Sequence, residues 1–401
     1  MSYDEKIVKY VGSHRNDIIA LEQKLIQTKS VTGDESQVAA LVAEECRKDG
    51  LAVELVEPAP RRMSVVARYK GTAGKPRVMW YTHYDTLPSG EEKEWKHPPF
   101  AATIDGGWIY GRGAADNKTA TCASIMAFRA IRNLGIKPKG DLIFTHVADE
   151  EKGGTFGFKN LIERGYGKGI DCLFYAHGGS PGRIGVAANG ACIIDIVVKG
   201  KAAHTAYNEE GINAVQNAAR LILRLQKLAE EVNLRRYPLP GTDSIMKSRF
   251  SMNRCVGYVA DNSVPQTCEL RIDRRWTPAE SLELIQKEVQ QVITEWKAED
   301  PKFDAALTVK PDMDLSVSAA DSELVKAIQR SAMKLGYDPK PEGGSHSSDH
   351  GFFNSKHHKP LASYGIGGEG MHAVDERIRV DEVIQTTILH CFLMTDLLEA
   401  T

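Results

Sequence analysis

With 401 residues, 42% of them hydrophobic and 26% charged, the chain is long enough for two domains of ordinary size. Its net charge of −2 supplies no basic field to hold a nucleic-acid backbone. No stretch reaches the roughly 18 apolar residues of a membrane-spanning helix, and the opening MSYDEKIVKYVGSHRND lacks an apolar run of signal-peptide length. A cytoplasmic protein with neither nucleic-acid nor membrane partners is therefore expected.

In chain order, residues 15–49 carry helical periodicity, with Leu21, Leu25 and Ile26 on one face and Val38, Leu41 and Val42 on the next after the TGDES turn. LAVELVE and RRMSVVARYKG read as strands. PRVMWYTHYDT is an apolar run that ends in polar residues, as in a strand buried on both faces. A long loop leads to WIYGRGAADNKT, and ATCASIMAFRAIRNLG is a helix closed by Gly135. KGDLIFTHVADEE is a buried strand, FGFKNLIERGYG a helix and IDCLFYAHGG a strand. This alternation predicts an α/β, three-layer domain around a mostly parallel sheet.

The texture changes near residue 186. NGACIIDIVVKGKAAHTAY alternates at period two, INAVQNAARLILRLQKLAEEV is a long amphipathic helix, two more strands follow, and SLELIQKEVQQVITEWKAE is a second helix. Two helices on an antiparallel sheet form an α+β module. The helix SELVKAIQRSAMKLG and the segment KPLASYGIG then return to the first texture. The expected organisation is a discontinuous catalytic domain, 1–185 and 311–401, with a lid or dimerisation domain, 186–310, inserted in it.

In open α/β sheets, functional groups collect where strands end at the carboxyl edge. VMWYTHYD ends in His83 and Asp85, THVADEE in Asp149, Glu150 and Glu151, and DCLFYAH in His177; the loop GRGAADNKT adds Asp116 and GEGMHAVDE adds His372. The seven cysteines stand singly, without a CxxC pair, so a disulfide framework or thiolate zinc site is not expected. Crowded carboxylates and histidines without thiolates point to a binuclear site of oxygen and nitrogen ligands, in which divalent ions relieve the repulsion. Zinc, manganese and cobalt all suit such a donor set.

The segments THYDTLP, GRGAADNKT, DEEKGGTFG, GKAAHTAYNEEGINAV, NSVP and MHAVDE, in this order, resemble the binuclear metallohydrolases that comprise aminoacylases, carboxypeptidase-G-type enzymes, acetylornithine deacetylases and succinyl-diaminopimelate desuccinylases. The resemblance spans nearly the whole chain. It implies His83 as a ligand of the first metal, Asp85 as the carboxylate orienting it, Asp116 as the bridge between two metals, and a cis peptide at Asp116–Asn117. It further implies Glu151 and His372 as ligands of the second metal, His177 as a ligand of the first, and Glu150 as the general base that activates the attacking water. His204 is implied as an oxyanion donor reaching in from a partner subunit, which in turn implies a homodimer formed through the inserted domain. Arg275 and Asn262 match positions that hold a substrate carboxylate or the oxyanion.

The resulting expectation is a hydrolase of a carbon–nitrogen bond, acting on the amide of an N-acyl amino acid or small peptide with a free carboxylate. EGGSHSSDHGFF departs from the family pattern by adding His346 and His350 beside the expected Asp349. These imidazoles, with His346 as a substrate-binding candidate, keep open hydrolytic deamination of a small aromatic or heterocyclic amine. A catalytically silent binding paralogue is the alternative of another class.

Overall fold

The computed structural model describes residues 2–399. A nine-stranded sheet forms its base, in the order Ala52–Val56, Ser64–Tyr69, Asp141–Val147, Arg77–His83, Cys172–Ala176, Leu361–Tyr364, Arg183–Ala188 and Ser316–Val317, with Lys340–Gly344 paired alongside Arg183–Ala188. The sheet is mixed. Its centre, from Asp141–Val147 through Arg77–His83 and Cys172–Ala176 to Leu361–Tyr364, is parallel, and the strands beyond on either side pair antiparallel apart from Lys340–Gly344.

The central strands carry apolar residues on both faces because both faces are covered. Trp80, Phe144 and Phe174 point into one core, under helices that include Lys118–Asn133 and Val380–Leu397. Met79, Tyr81, Val147 and Tyr175 point into the other, beside the helices Phe158–Glu163 and Gly351–His357. Alternation along a pleated strand thus feeds two helical layers from one apolar run. Parallel register lines up the strand ends, with His83 opposite Val147, and Tyr81 opposite Tyr175 two residues before His177.

From Gly190 the chain builds a separate antiparallel sheet, ordered Arg249–Val256, Thr267–Trp276, Gly190–Lys199 and Asp304–Met313. Two helices, Ala214–Leu234 and Leu282–Glu299, cover one face of it. Their apolar stripes, Leu221, Leu225, Ile285, Val289 and Ile293, meet Ile194, Ile196, Val198, Leu270 and Ile272. Asn213 and Ser281 cap these helices through their side chains.

Elements without a distinctive sequence signal complete both parts. Helix Tyr3–Ser13 precedes the predicted helical region. Asp304–Met313 supplies an edge strand of the inserted sheet. Val380–Leu397 is buried around most of its circumference and packs on Lys118–Asn133, so it shows no clean apolar stripe. Among the described residues, no helix is long and apolar enough to cross a membrane.

Candidate metal centre

The carboxyl edge of the parallel strands brings the predicted residues together. His83 ends its strand, His177 directly follows Cys172–Ala176, and Glu150 and Glu151 begin a short 3-10 turn after Asp141–Val147. That turn is possible because Asp149, Gly153 and Gly154 all take positive φ. A side chain at Gly154 would also collide with Asp349, 2.4 Å from its Oδ2. Asp149 serves the turn by pairing with Arg62 and accepting from the Phe156 amide at 2.7 Å. Asp116 sits just before helix Lys118–Asn133, and the Asp116–Asn117 peptide is cis.

Asp116 is the hub. Its Oδ1 lies 3.0 Å from His83 Nε2 and 3.2 Å from His177 Nε2, while its Oδ2 lies 3.2 Å from His372 Nε2. His372 Nε2 is also 3.1 Å from Glu151 Oε2. Two ligand groups result, His83–Asp116–His177 and Asp116–Glu151–His372, with candidate donor atoms within 4.8 Å of one another in each group.

Neighbouring groups fix which nitrogen of each histidine faces inward. His83 Nδ1 meets only acceptors, the Asp85 carbonyl at 3.3 Å and its Oδ1 at 3.4 Å. His177 Nδ1 lies 2.7 Å from the Gly178 carbonyl. As neutral imidazoles both donate from Nδ1 there, which leaves both Nε2 atoms with lone pairs aimed at Asp116. Against the lowering effect of burial, Glu150 and Asp116 raise His83, and Asp116 raises His177, so a proton takes the cation's place in the metal-free protein. Lone pair against carboxylate oxygen repels unless a proton or a cation stands between them. In keeping with that, His83 Nε2 and Asp116 Oδ1 are buried without a hydrogen-bond partner. The donor set, three imidazole nitrogens and two carboxylates, fits a pair of divalent cations.

The carboxylates and histidines shift one another strongly. Burial raises the Asp116 carboxyl, but His177, His372 and His83 together hold it well below the usual carboxylate range. Glu151 is pushed up to about 8 by burial and then by Asp116. His372 rises to about 9, chiefly through its hydrogen bond to Asp116. Burial, followed by Asp116 and Asp85, raises Glu150 against the lowering effect of His83.

Supporting groups hold this geometry. Asp85, fully buried, accepts from the backbone N–H groups of Glu150 and Glu151 at 3.1 and 3.3 Å and from Thr32 Oγ1 at 2.9 Å. Glu376 Oε1 accepts from the amides of Ala115 and Asp116 at 2.9 and 3.0 Å, and its Oε2 accepts from Arg112 at 2.7 Å. Glu150 Oε1 accepts from Ser348 Oγ at 3.1 Å and from the Tyr175 hydroxyl at 3.5 Å. Sequence reading missed the parts played by Glu376, Ser348 and Tyr175. Glu376 lies inside MHAVDE and Ser348 inside HSSDH, so the segments were visible; the contacts were not, because each spans more than a hundred residues of chain except Tyr175–Glu150.

The cleft over this cluster, about 510 Å³, runs between the sheet edge and the inserted sheet. Arg275 and His346 line it, together with Lys152, Asp312 and His350. Arg275 is braced by Asp273 at 2.7 and 2.8 Å. His350 is buried beside Tyr175, and burial lowers it to about 3, so it is neutral. His346 is exposed at the mouth. His204 and Asn262 are not among the cleft-lining residues; both are exposed on adjacent loops of the inserted part, where the Thr205 amide donates to the Asn262 carbonyl at 3.1 Å. His146 is a core residue, fully buried with Nδ1 2.7 Å from Thr82 Oγ1.

Comparison with known proteins follows the same lines. The model of peptidase family M20/M25/M40 matches residues 79–395. The chain is 26% identical over 392 residues to a succinyl-diaminopimelate desuccinylase of Dinoroseobacter shibae, covering 95% of this chain and 99% of that one. It is also 26% identical over 418 residues to an N-formyl-4-amino-5-aminomethyl-2-methylpyrimidine deformylase of Halalkalibacterium halodurans, covering 96% of each. The M20 family metallo-carboxypeptidase Sso-CP2 of Sulfolobus solfataricus shares the fold with a TM-score of 0.76 at 19% identity, over 95% of this chain and 98% of that one.

Arg112 and Glu376 are 4% and 1% exposed, so removing one partner strands a buried charge. Glu376→Ala is expected to lower stability by about 3–5 kcal/mol in urea unfolding of the metal-free protein. Glu376→Gln, which keeps an acceptor for the two amides, should lose less. A change below about 1 kcal/mol in the alanine variant would show that the pair does not hold the Asp116 loop.

Proposed function

Because this chain belongs to peptidase family M20/M25/M40 and is a metallohydrolase of amide or peptide bonds, we propose that its substrate is an N-acyl amino acid or small peptide with a free carboxylate. The observation that carries this reading is the pair of ligand groups sharing Asp116, with Arg275 in the same cleft. His83, Asp116 and His177 would hold one cation, and Asp116, Glu151 and His372 the other; zinc, manganese and cobalt are the candidates. When bound, such ions polarise the substrate carbonyl and make a water acidic enough to attack it near neutral pH.

The side chains supply the rest. Ser348 and Tyr175 occupy Glu150 Oε1, so Oε2, 3.9 Å from His83 Nε2, is the oxygen left facing the reacting water. Burial raises Glu150 above its ordinary value, which suits a group that takes a proton from water and returns it to the leaving nitrogen. The products are a carboxylic acid and a free amine. Asp85 keeps His83 in the required tautomer and ties the Glu150–Glu151 backbone to it. Arg275, held flat by Asp273, offers an anchor to the substrate carboxylate.

His204 and Asn262 enter this scheme as donors from a partner subunit, consistent with their exposure outside the cleft of their own chain. The proposed organisation is a cytoplasmic homodimer joined through the inserted domain, residues 186–310, with 1–185 and 311–401 forming the catalytic domain.

Glu150→Gln is expected to lower kcat by at least about 10²–10⁴-fold while leaving metal content unchanged; activity within a few-fold of wild type would remove Glu150 from the role of base. A second expectation concerns protons. With Glu151 near 8 and His372 near 9 in the metal-free protein, the cluster is protonated at pH 7. Ligation needs both groups deprotonated, so cation uptake releases about one proton or more, and affinity weakens as pH falls. Calorimetric titration with zinc or manganese in buffers of different ionisation enthalpy measures that release, and a value of zero would contradict the assignment of Glu151 and His372.

A further inference from the structure

A second cavity, about 410 Å³, opens beside the first, and His177, His346 and Ser363 line both. Six glycines contribute to its wall, Gly179, Gly185 and Gly344 among them. It adjoins the ligand group of His83, Asp116 and His177, and none of Glu151, His372, Glu150 or Arg275 lines it.

Its chemistry is neutral. Besides the shared histidines, Arg183 and Glu342 are the charged residues at its wall; they lie 3.4 Å apart, and Arg183 is 69% exposed. The Tyr364 hydroxyl is committed to the Pro181 carbonyl at 2.8 Å. Part of the wall backbone is also committed: Gly179 and Gly367 exchange hydrogen bonds, and Lys340–Gly344 pairs with Arg183–Ala188. A carboxylate seated there would meet a guanidinium already paired with Glu342, and would lose its hydration. An uncharged planar group can lie against glycine backbone and exchange only poorly bound water.

We propose that this glycine-walled cavity is the subsite for the acyl group of the substrate, and that it selects uncharged acyl groups larger than acetyl, such as an aromatic acyl. This rests on the reading of the cleft as an N-acyl amino acid hydrolase site. With the substrate carboxylate at Arg275, the two halves of the amide must diverge from the shared wall at His177, and the acyl half then points into the second cavity. Ser363 is the residue best placed to tune it. Its Oγ lies across Gly185, where an added β-carbon would approach it to 2.2 Å.

The test compares N-benzoyl-, N-acetyl- and N-succinyl-alanine on metal-loaded wild-type protein and on Ser363→Leu. Wild type is expected to prefer benzoyl to acetyl by about tenfold or more in kcat/KM, with succinyl the poorest. Ser363→Leu fills the cavity and should bring benzoyl below acetyl; Ser363→Val, a smaller change suited to a strand, should move the ratio the same way if the leucine variant does not fold. Succinyl as the best substrate, equal use of benzoyl and acetyl, or a ratio untouched by either folded variant would overturn the subsite while leaving the hydrolase reading intact. Failure to cleave any of the three would overturn both.

Discussion

Asp116 Oδ1 faces the Nε2 atoms of two histidines, His83 and His177, at 3.0 and 3.2 Å. The neutral tautomers of His83 and His177 are fixed from behind, by Asp85 and by the Gly178 carbonyl, so without an added proton or cation their Nε2 atoms present lone pairs to the carboxylate between them. In a buried site that repulsion is not screened by water. Much of the surrounding architecture is understandable as the means of holding these acceptors together until positive charge joins them. The parallel strands deliver His83 and His177 at one edge, the positive-φ turn delivers Glu150 and Glu151, and Glu376 clamps the loop that carries Asp116.

The same constraint explains why so much polar material is buried beneath the site. Asp85 satisfies two amides and a hydroxyl while facing His83. Lys118, fully buried just after the cis peptide, donates to the carbonyls of Leu25 and Thr28 at 2.9 and 2.7 Å and ties the Asp116 loop to helix Arg15–Gln27. Burial lowers this lysine to about 7. Such a network is costly to assemble and unforgiving when half satisfied, which makes it a rigid support for donor atoms that must be placed within a few tenths of an ångström.

The candidate site was more legible in the sequence than the periphery of the fold. Strand-end chemistry is local: an apolar run that stops at His-x-Asp or at Asp-Glu-Glu-x-Gly-Gly announces its own carboxyl edge, and parallel register does the rest. The helical and strand periods of the inserted part were equally plain, because one face of its sheet is covered by helices while the other is not. Val380–Leu397 was silent for the opposite reason, since a helix buried nearly all round has no period to read. His350 was unreadable in its own way: SHSSDH is polar enough for a solvated loop, and only the packing of that loop onto Tyr175 turns the imidazole inward. Glu376 and Ser348 act through contacts of 260 and 198 residues' separation, which no local pattern encodes.

The most direct measurement is an anomalous-scattering experiment on crystals grown with zinc or manganese. Two peaks per chain are expected, one within about 2.0–2.2 Å of His83 Nε2, Asp116 Oδ1 and His177 Nε2, the other at the same range from Asp116 Oδ2, Glu151 and His372 Nε2. Peaks lying elsewhere, or no peak between Asp116 and the two buried-facing imidazoles at saturating metal, would contradict a cation as the partner those lone pairs await.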